Sequence, residues 1–391
     1  MPRIPDKAQT DGSTTFDPDK FFEAWEQEQI TPPYDNDFRK FIIRSFGLKP
    51  TDTYVYKATA EVSLLQTQTY LEFGGQGGLH AWYKDEEGNQ VSNTIDTGKE
   101  VLAPSPVLIL AVPKMKKPPP PAVDIAAYSD IFRSKTNTQN ALKGLAANAK
   151  KDSIRAGVAA HLQSLYSPPS ADRKIVVPKL KKEHLNPYFD VWAWSNQNLE
   201  WGGPEPGTVN VKISHAILPV LYHHFGCIVP SFEALCIVQQ IARGRAIVDL
   251  GSGNGYWTYM LRRFDTKKSM SVVPVDNGLS EWRTMWVGDT VTSDGVQYLQ
   301  KNAGGKEQVL LLVYPQVGAD FTGKVLRAYK GDTIVVAGTQ NANGFTAFAQ
   351  ETISDWMNKN MPQFEKVLQI PLPSFAGKDE ALFVFDKKSS A

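Results

Sequence analysis

IVDLGSGNGYWTYML, residues 247–261, limits the fold of this chain more than any other stretch. A short apolar run carries Asp249 and ends at Leu250. Glycines then stand at alternate positions (Gly251, Gly253, Gly255), and WTYMLRRF follows. Such an order predicts a buried strand, a sharp turn and a helix. Glycine takes left-handed dihedrals without a steric penalty, and its missing Cβ lets the backbone come close to a ligand. Amides at the start of the helix then face that ligand.

The surrounding pattern extends this reading. SFEALCIVQQIA predicts a helix with Ser231 as N-cap and Glu233 in its first turn, where an acid suits the helix dipole. RAIVDL, SVVPVDN, QVLLLVYP (308–315) and DTIVVAG (332–338) read as buried strands with helical links between them. FTAFAQETISDWMNKNM is expected to be a helix, and FEKVLQIPLP and ALFVFD two closing strands. Alternation of this kind predicts a parallel, doubly wound sheet covered by helices on both faces. Ligands on such sheets sit beyond the carboxyl ends of the strands, where Gly251–Gly255 would lie.

The spacing narrows the ligand. A dinucleotide fingerprint reads G-x-G-x-x-G and a triphosphate loop G-x-x-x-x-G-K-[ST]. Here the motif is D-x-G-x-G-x-G followed by Tyr256, and no triphosphate loop occurs. Asp249 through Gly255 resembles the first motif of the class I (Rossmann-like) methyltransferases that use S-adenosylmethionine (SAM), over about 205–388. The resemblance implies a seven-stranded Rossmann-like sheet closed by an antiparallel hairpin, with SAM as cofactor. It implies a cofactor site of Asp249, Gly251, Ser252, Gly253, Gly255 and Trp257. Asp276, beside Asn277 at the end of the second strand, would bind the ribose hydroxyls, and Asp289 in WVGDT the adenine amino group. Tyr314, in Tyr314-Pro315-Gln316 after the fourth strand, departs from the family's acid or Asn next to Pro. It would border the methyl group and is the candidate catalytic residue; packing is its alternative role. Trp257 and Trp282 would flank the cofactor, Trp257 equally serving as a packing residue. Gln340 and Asn341 are further candidates to contact an acceptor, and His215, His223 and His224 are weaker ones.

Residues 1–200 have no such counterpart. Residues 1–16 are polar and expected to be disordered. Residues 17–112 read as a small α+β module of their own. Asp17-Pro18 starts one helix, and Phe38, Phe41, Ile42 and Phe46 mark a second stopped by Gly47. TYLEF, GLHAWY, QVSNTI and SPVLILAV are expected strands, DEEGN a hairpin turn, and GGQGG (74–78) a flexible turn. Residues 113–124, with four consecutive prolines at 118–121, read as a stiff linker. Residues 125–204 form a connecting region with a helix over about 138–166 and an aromatic passage at 188–201, expected as core or as a pocket wall. The transferase domain then spans 205–391.

Composition excludes several classes. With 42% apolar and 21% charged residues over 391 positions, the chain has an ordinary globular makeup. No apolar run reaches a membrane span, and the first twenty residues carry acids without an apolar core. A cytoplasmic or nuclear location without membrane attachment is expected. Two cysteines, Cys227 and Cys236, without a CxxC, predict buried thiols and no metal site. The net charge of +1 hides an acidic first hundred residues and a basic 114–182, which would suit RNA or be a solvated surface. Protein, small molecule and RNA all stay open as acceptor, and the sequence fixes no oligomeric state. The alternative function is a catalytically silent scaffold that acts through the N-terminal module.

Overall fold

The computed structural model describes residues 16–388 apart from 59, 75–81, 86, 90–117 and 265–269. The expected QVSNTI and SPVLILAV strands, the GGQGG turn beyond Gly74, the start of GLHAWY, the basic end of the linker and the tail before residue 16 lie outside the described residues. The first half contributes α1 (Pro18–Glu26), α2 (Phe38–Phe46), β1 (Val55–Lys57), β2 (Glu61–Ser63), α3 (Leu64–Gly74), α4 (Ala122–Ser129), α5 (Thr138–Ala147), α6 (Ile154–Leu165) and α7 (Pro187–Asn198). There follow α8 (Ile217–Phe225), α9 (Phe232–Ala242), β3 (Ile247–Leu250), α10 (Tyr256–Arg263), β4 (Val272–Asp276), β5 (Val291–Thr292) and α11 (Gly295–Lys301). The chain closes with β6 (Val309–Val313), α12 (Phe321–Ala328), β7 (Thr333–Thr339), α13 (Ile353–Asn360), β8 (Phe364–Pro371) and β9 (Glu380–Lys387).

Seven strands form one sheet in the order β5-β4-β3-β6-β7-β9-β8. β3 to β7 are parallel neighbours, while β9 runs antiparallel to β7 and to β8. The expected closing hairpin is therefore present, inserted with β9 inside β8. Strand side chains alternate between faces. Ile247, Leu311 and Val335 join one buried cluster, and Val248, Leu310 and Ile334 the other. α11, α12 and α13 supply Leu299, Val325 and Trp356 to the second face. Among the described residues, no helix is long and apolar enough to cross a membrane.

The first face is covered by α8, α9 and α10, and the N-terminal half packs into the same cluster, which corrects the reading of 17–112 as a separate module. Phe21, Phe46 and Trp192 share one cluster with Ile247 and Leu311. The Phe21 ring lies 5.5 Å from Trp286, and Phe46 stacks on His224 at 4.0 Å. The Trp25 indole donates to Asp190 at 2.9 Å. Burial of so many aromatic side chains, each worth roughly 1.5–3 kcal/mol, ties α1 and α2 to the sheet as one core.

Local signals held where caps were explicit. Asp17 accepts from the amides of Asp19 and Lys20 with Pro18 in the first turn, Gly47 ends α2 at φ 62°, and Ser231 caps α9. The expected helix over 138–166 is two helices, because Asp152 turns left-handed and the Ser153 side chain starts α6 afresh. TYLEF lies in α3 rather than in a strand. Only the second half of FTAFAQETISDWMNKNM is helical: Gly344 and Ala347 have positive φ, and the Thr352 side chain caps α13. The aromatic passage is core and not a pocket wall. The Trp192 and Trp201 indoles both donate to the Ser374 carbonyl, at 3.0 and 2.9 Å, and Tyr188 donates to Gly226.

Candidate functional site

Beyond the carboxyl ends of β3, β4 and β6 lies a cavity of about 570 Å³, within the usual range for small-ligand sites. Its floor is the glycine loop. Gly251, Gly253 and Gly255 all take left-handed φ, at 76°, 56° and 80°. A Cβ on Gly255 would stand 2.4 Å from a Val287 methyl, and one on Gly253 would stand 3.0 Å from the Trp282 ring. The amides of Gly251 and Ser252 donate to the Val275 carbonyl at 2.8 and 3.1 Å, which pins the loop to β4.

Asp276 is the electrostatic centre. Its two oxygens accept from the Gly253 amide at 3.0 Å and the Gly278 amide at 2.8 Å. A carboxylate offers about four acceptor positions, so two remain for hydroxyl donors. Burial raises its pKa, and the two amide bonds oppose that rise. Asn277, Ser293 and Asp294 line the same wall. Asp294 caps α11 through the amides of Val296 and Gln297. The Ser252 hydroxyl, also on the lining, is buried without a hydrogen-bond partner among the described residues.

Much of the remaining lining is aromatic: Tyr222, Trp257, Trp282, Tyr314 and Phe321 border the cavity, Trp282 beside Gly253 and Phe321 beside Gly251. Trp257 donates its indole N–H to Ile228 at 2.9 Å, so it is a packing residue that also borders the cavity. Tyr314 stands at φ 50°, a conformation most side chains avoid. Its ring lies 5.8 Å from that of Tyr222, and burial pushes its hydroxyl pKa up. Of the three candidate histidines only His223 reaches the cavity. Its Nε2 lies 2.9 Å from the Lys57 carbonyl, which can only accept, so Nε2 carries the proton. Burial lowers its pKa, leaving Nδ1 unprotonated. Lys57 and Ala58 bring the N-terminal half into the lining.

Several expected residues are not at the cavity. Asp249 is fully buried and accepts from the Thr258 hydroxyl at 2.7 Å, holding β3 against α10. Asp289 precedes β5 instead of following it, and pairs with Arg262 through bonds of 2.8 Å. Asp294, past the end of that strand, occupies the place expected of Asp289. Gln340 and Asn341 donate to Asp379 at 2.6 and 3.2 Å, in a buried network with His161. Cys227 does line the cavity, with its thiol pushed up to about 12 by burial and hence protonated. No group of three His, Cys, Asp or Glu among the described residues is placed to hold a metal ion.

Desolvation also lifts Asp249 to about 7 from its ordinary 3.8. Folding then favours the protonated acid. Its contribution is fully present below the ordinary carboxyl range and is lost as pH rises toward about 7. Asp249→Asn, which does not titrate, is expected to gain stability relative to the wild type across that window and to hold the gain above it. Urea unfolding of both proteins against pH checks this; parallel curves would reject it.

No family model matches the sequence, and no curated protein is similar to it. Among solved structures the chain is similar to a Streptococcus mutans protein described as a SAM-dependent methyltransferase, at 13% identity and TM-score 0.27, over 41% of this chain and 50% of that one. It is also similar to the methyltransferase domain of bacterial CtHen1, at 12% and 0.26 over 39% and 96%. A third is the CurJ carbon methyltransferase, at 10% and 0.25 over 68% and 92%. The chain spans about half the length of the first of these.

Proposed function

We propose that the chain is a SAM-dependent methyltransferase whose cofactor lies across the glycine loop against Asp276. The supporting observation is Asp276 itself. A partly buried carboxylate at the end of the second strand, fixed by two backbone amides and with acceptor capacity to spare, faces a cavity of about 570 Å³. Two vicinal hydroxyls of a ribose would complete it. Gly251, Ser252 and Gly253 would lie under the amino-acid part of the cofactor, and Asp294 or Ser293 would meet the purine. SAM, once bound, supplies an activated methyl group on a positively charged sulfur. The protein's share is then alignment and exclusion of water, for which orientation is worth ~7–11 kcal/mol.

The acceptor would enter between Tyr222, Tyr314 and Trp282. Among the described residues, Lys57 is the only lysine or arginine on the lining, so a flat or apolar group fits this wall better than a phosphate backbone. A small molecule or a protein side chain is therefore favoured over RNA. His223, neutral and next to this wall, is the group placed to take a proton if the acceptor must lose one. Two measurements test the reading. Calorimetry with SAM and its demethylated product should give micromolar binding. Incubation of the protein with tritiated SAM and fractionated cell extract should label a metabolite or protein fraction. Binding without labelling beyond a Gly253→Arg control would favour the silent scaffold. Absence of binding would reject the SAM assignment.

A further inference from the structure

A second cavity, of about 530 Å³, opens at the other end of the sheet, where β7 begins and β9 ends. Its charges are uneven. Five basic side chains line it against two acids, Asp332 and Asp386. Both acids are already engaged: Arg245 pairs with Asp332, and Arg173 with Asp386. Lys174, Arg243 and Lys387 are left on the rim, exposed and with no ion pair among the described residues.

The rim is held in shape. Gln240 on α9 both accepts from the Val176 amide at 2.9 Å and donates to the Val176 carbonyl at 2.8 Å, which fixes the segment carrying Lys174. Lys174 and Arg243 stand at φ 52° and 50°, where a side chain is disfavoured by roughly 1 kcal/mol and glycine or asparagine fits more readily. The left-handed turn at each closes a helix, Arg243 as C-cap of α9 and Lys174 as C-cap of the 3-10 turn Ala171–Arg173. The α9 carbonyls of Ile241 and Ala242 take the side chain of Arg245, at 3.1 and 3.2 Å, rather than that of Arg243. Three like charges held around one concavity repel one another, and a compact polyanion relieves that repulsion.

We propose that this cavity is a binding site for a small anion bearing two or more phosphate groups. Arginine meets phosphate through its planar fork and lysine as a point charge, and a cavity of this size admits a small ligand. The site lies at the opposite end of the sheet from Asp276, and the proposal does not rest on methyl transfer. It also gives a use to the C-terminal part of the basic 114–182 segment, which contributes Arg173 and Lys174.

The probe is inorganic tripolyphosphate, titrated into the full-length protein by calorimetry at low salt and at about 0.15 M. The double variant Lys174→Asn, Arg243→Asn, whose new side chains tolerate left-handed φ, should bind at least about tenfold more weakly. Lys387→Gln should weaken binding less. A control, Lys143→Gln with Lys150→Gln, removes two exposed lysines elsewhere and should leave affinity unchanged. Thermal midpoints without ligand establish that each variant is folded. Equal losses in the control and the double variant would overturn the proposal, because binding would then follow overall charge. Tighter binding of single-stranded RNA than of tripolyphosphate would also overturn it, in favour of an extended nucleic-acid face.

Discussion

Asp276→Ala is expected to weaken SAM binding by about a hundredfold or more. Two hydrogen bonds from hydroxyls to a charged, half-desolvated carboxylate are worth roughly 1.5–3 kcal/mol each, and ~2.8 kcal/mol corresponds to a hundredfold. The substitution also frees the amides of Gly253 and Gly278, which Asp276 now holds at 3.0 and 2.8 Å. The loop should then loosen under the methionine end of the ligand. Asp276→Asn keeps the shape and one acceptor oxygen, and should fall between wild type and alanine. The pH dependence has a definite sign. Ribose hydroxyls donate to the carboxylate, and burial raises the pKa of Asp276. Affinity should therefore drop on acidification at a pH above the ordinary carboxyl range, and Asp276→Asn should remove that drop. Calorimetry at several pH values reads both effects. Equal affinity in wild type and alanine variant would exclude the ribose role.

Much of this site was readable because its cause is local. Three alternating glycines after an apolar strand specify a left-handed, bulk-free turn, and that is the backbone found. Asp276 ends an apolar pentapeptide, so its position at a strand terminus follows from sequence alone. Asp289 was misread for the opposite reason. β5 has only two residues, Val291 and Thr292, both exposed, so no apolar run marked where the strand lay. Asp289 fell on the wrong side of it, while Asp294 showed only the ordinary signature of a helix cap. Asp249 was misplaced because adjacency to a motif does not tell which way a strand side chain points.

The N-terminal half was misjudged through tertiary, not local, physics. In α3 the buried positions Leu64 and Thr67 and the partly buried Leu71 follow helical spacing, but a threonine among them hides the stripe. Tyr70 and Phe73, which made TYLEF look like a strand, are exposed. The contacts that fuse this half to the sheet span large separations, 165 residues for Trp25 to Asp190 and 231 for Asp52 to Arg283. No periodicity in a single sequence carries that information. The consequence is functional, because Lys57 and Ala58 complete a cavity that a self-contained sheet domain would leave open on that side.

Asp52→Ala is the sharpest test of that integration. Arg283 is fully buried, meets the Asp52 carboxylate through both terminal nitrogens at 3.2 and 2.9 Å, and lies 4.3 Å over the Tyr54 ring. Removing the acid leaves a buried guanidinium without its counter-ion, a change that typically costs about 3–5 kcal/mol. The loss should appear as a lower urea midpoint with an unchanged slope. Arg283 follows Trp282, the residue that covers Gly253, and its amide donates to the His223 carbonyl at 3.2 Å. SAM affinity should therefore fall together with stability. The double variant Asp52→Ala, Arg283→Met removes both charges and should recover most of the stability, since apolar replacement of a buried pair is often neutral. Its affinity should recover less, because the tie between the N-terminal half and the Trp282 loop is still cut. An Asp52→Ala protein as stable as the wild type would mean that residues 17–112 fold independently of the sheet after all.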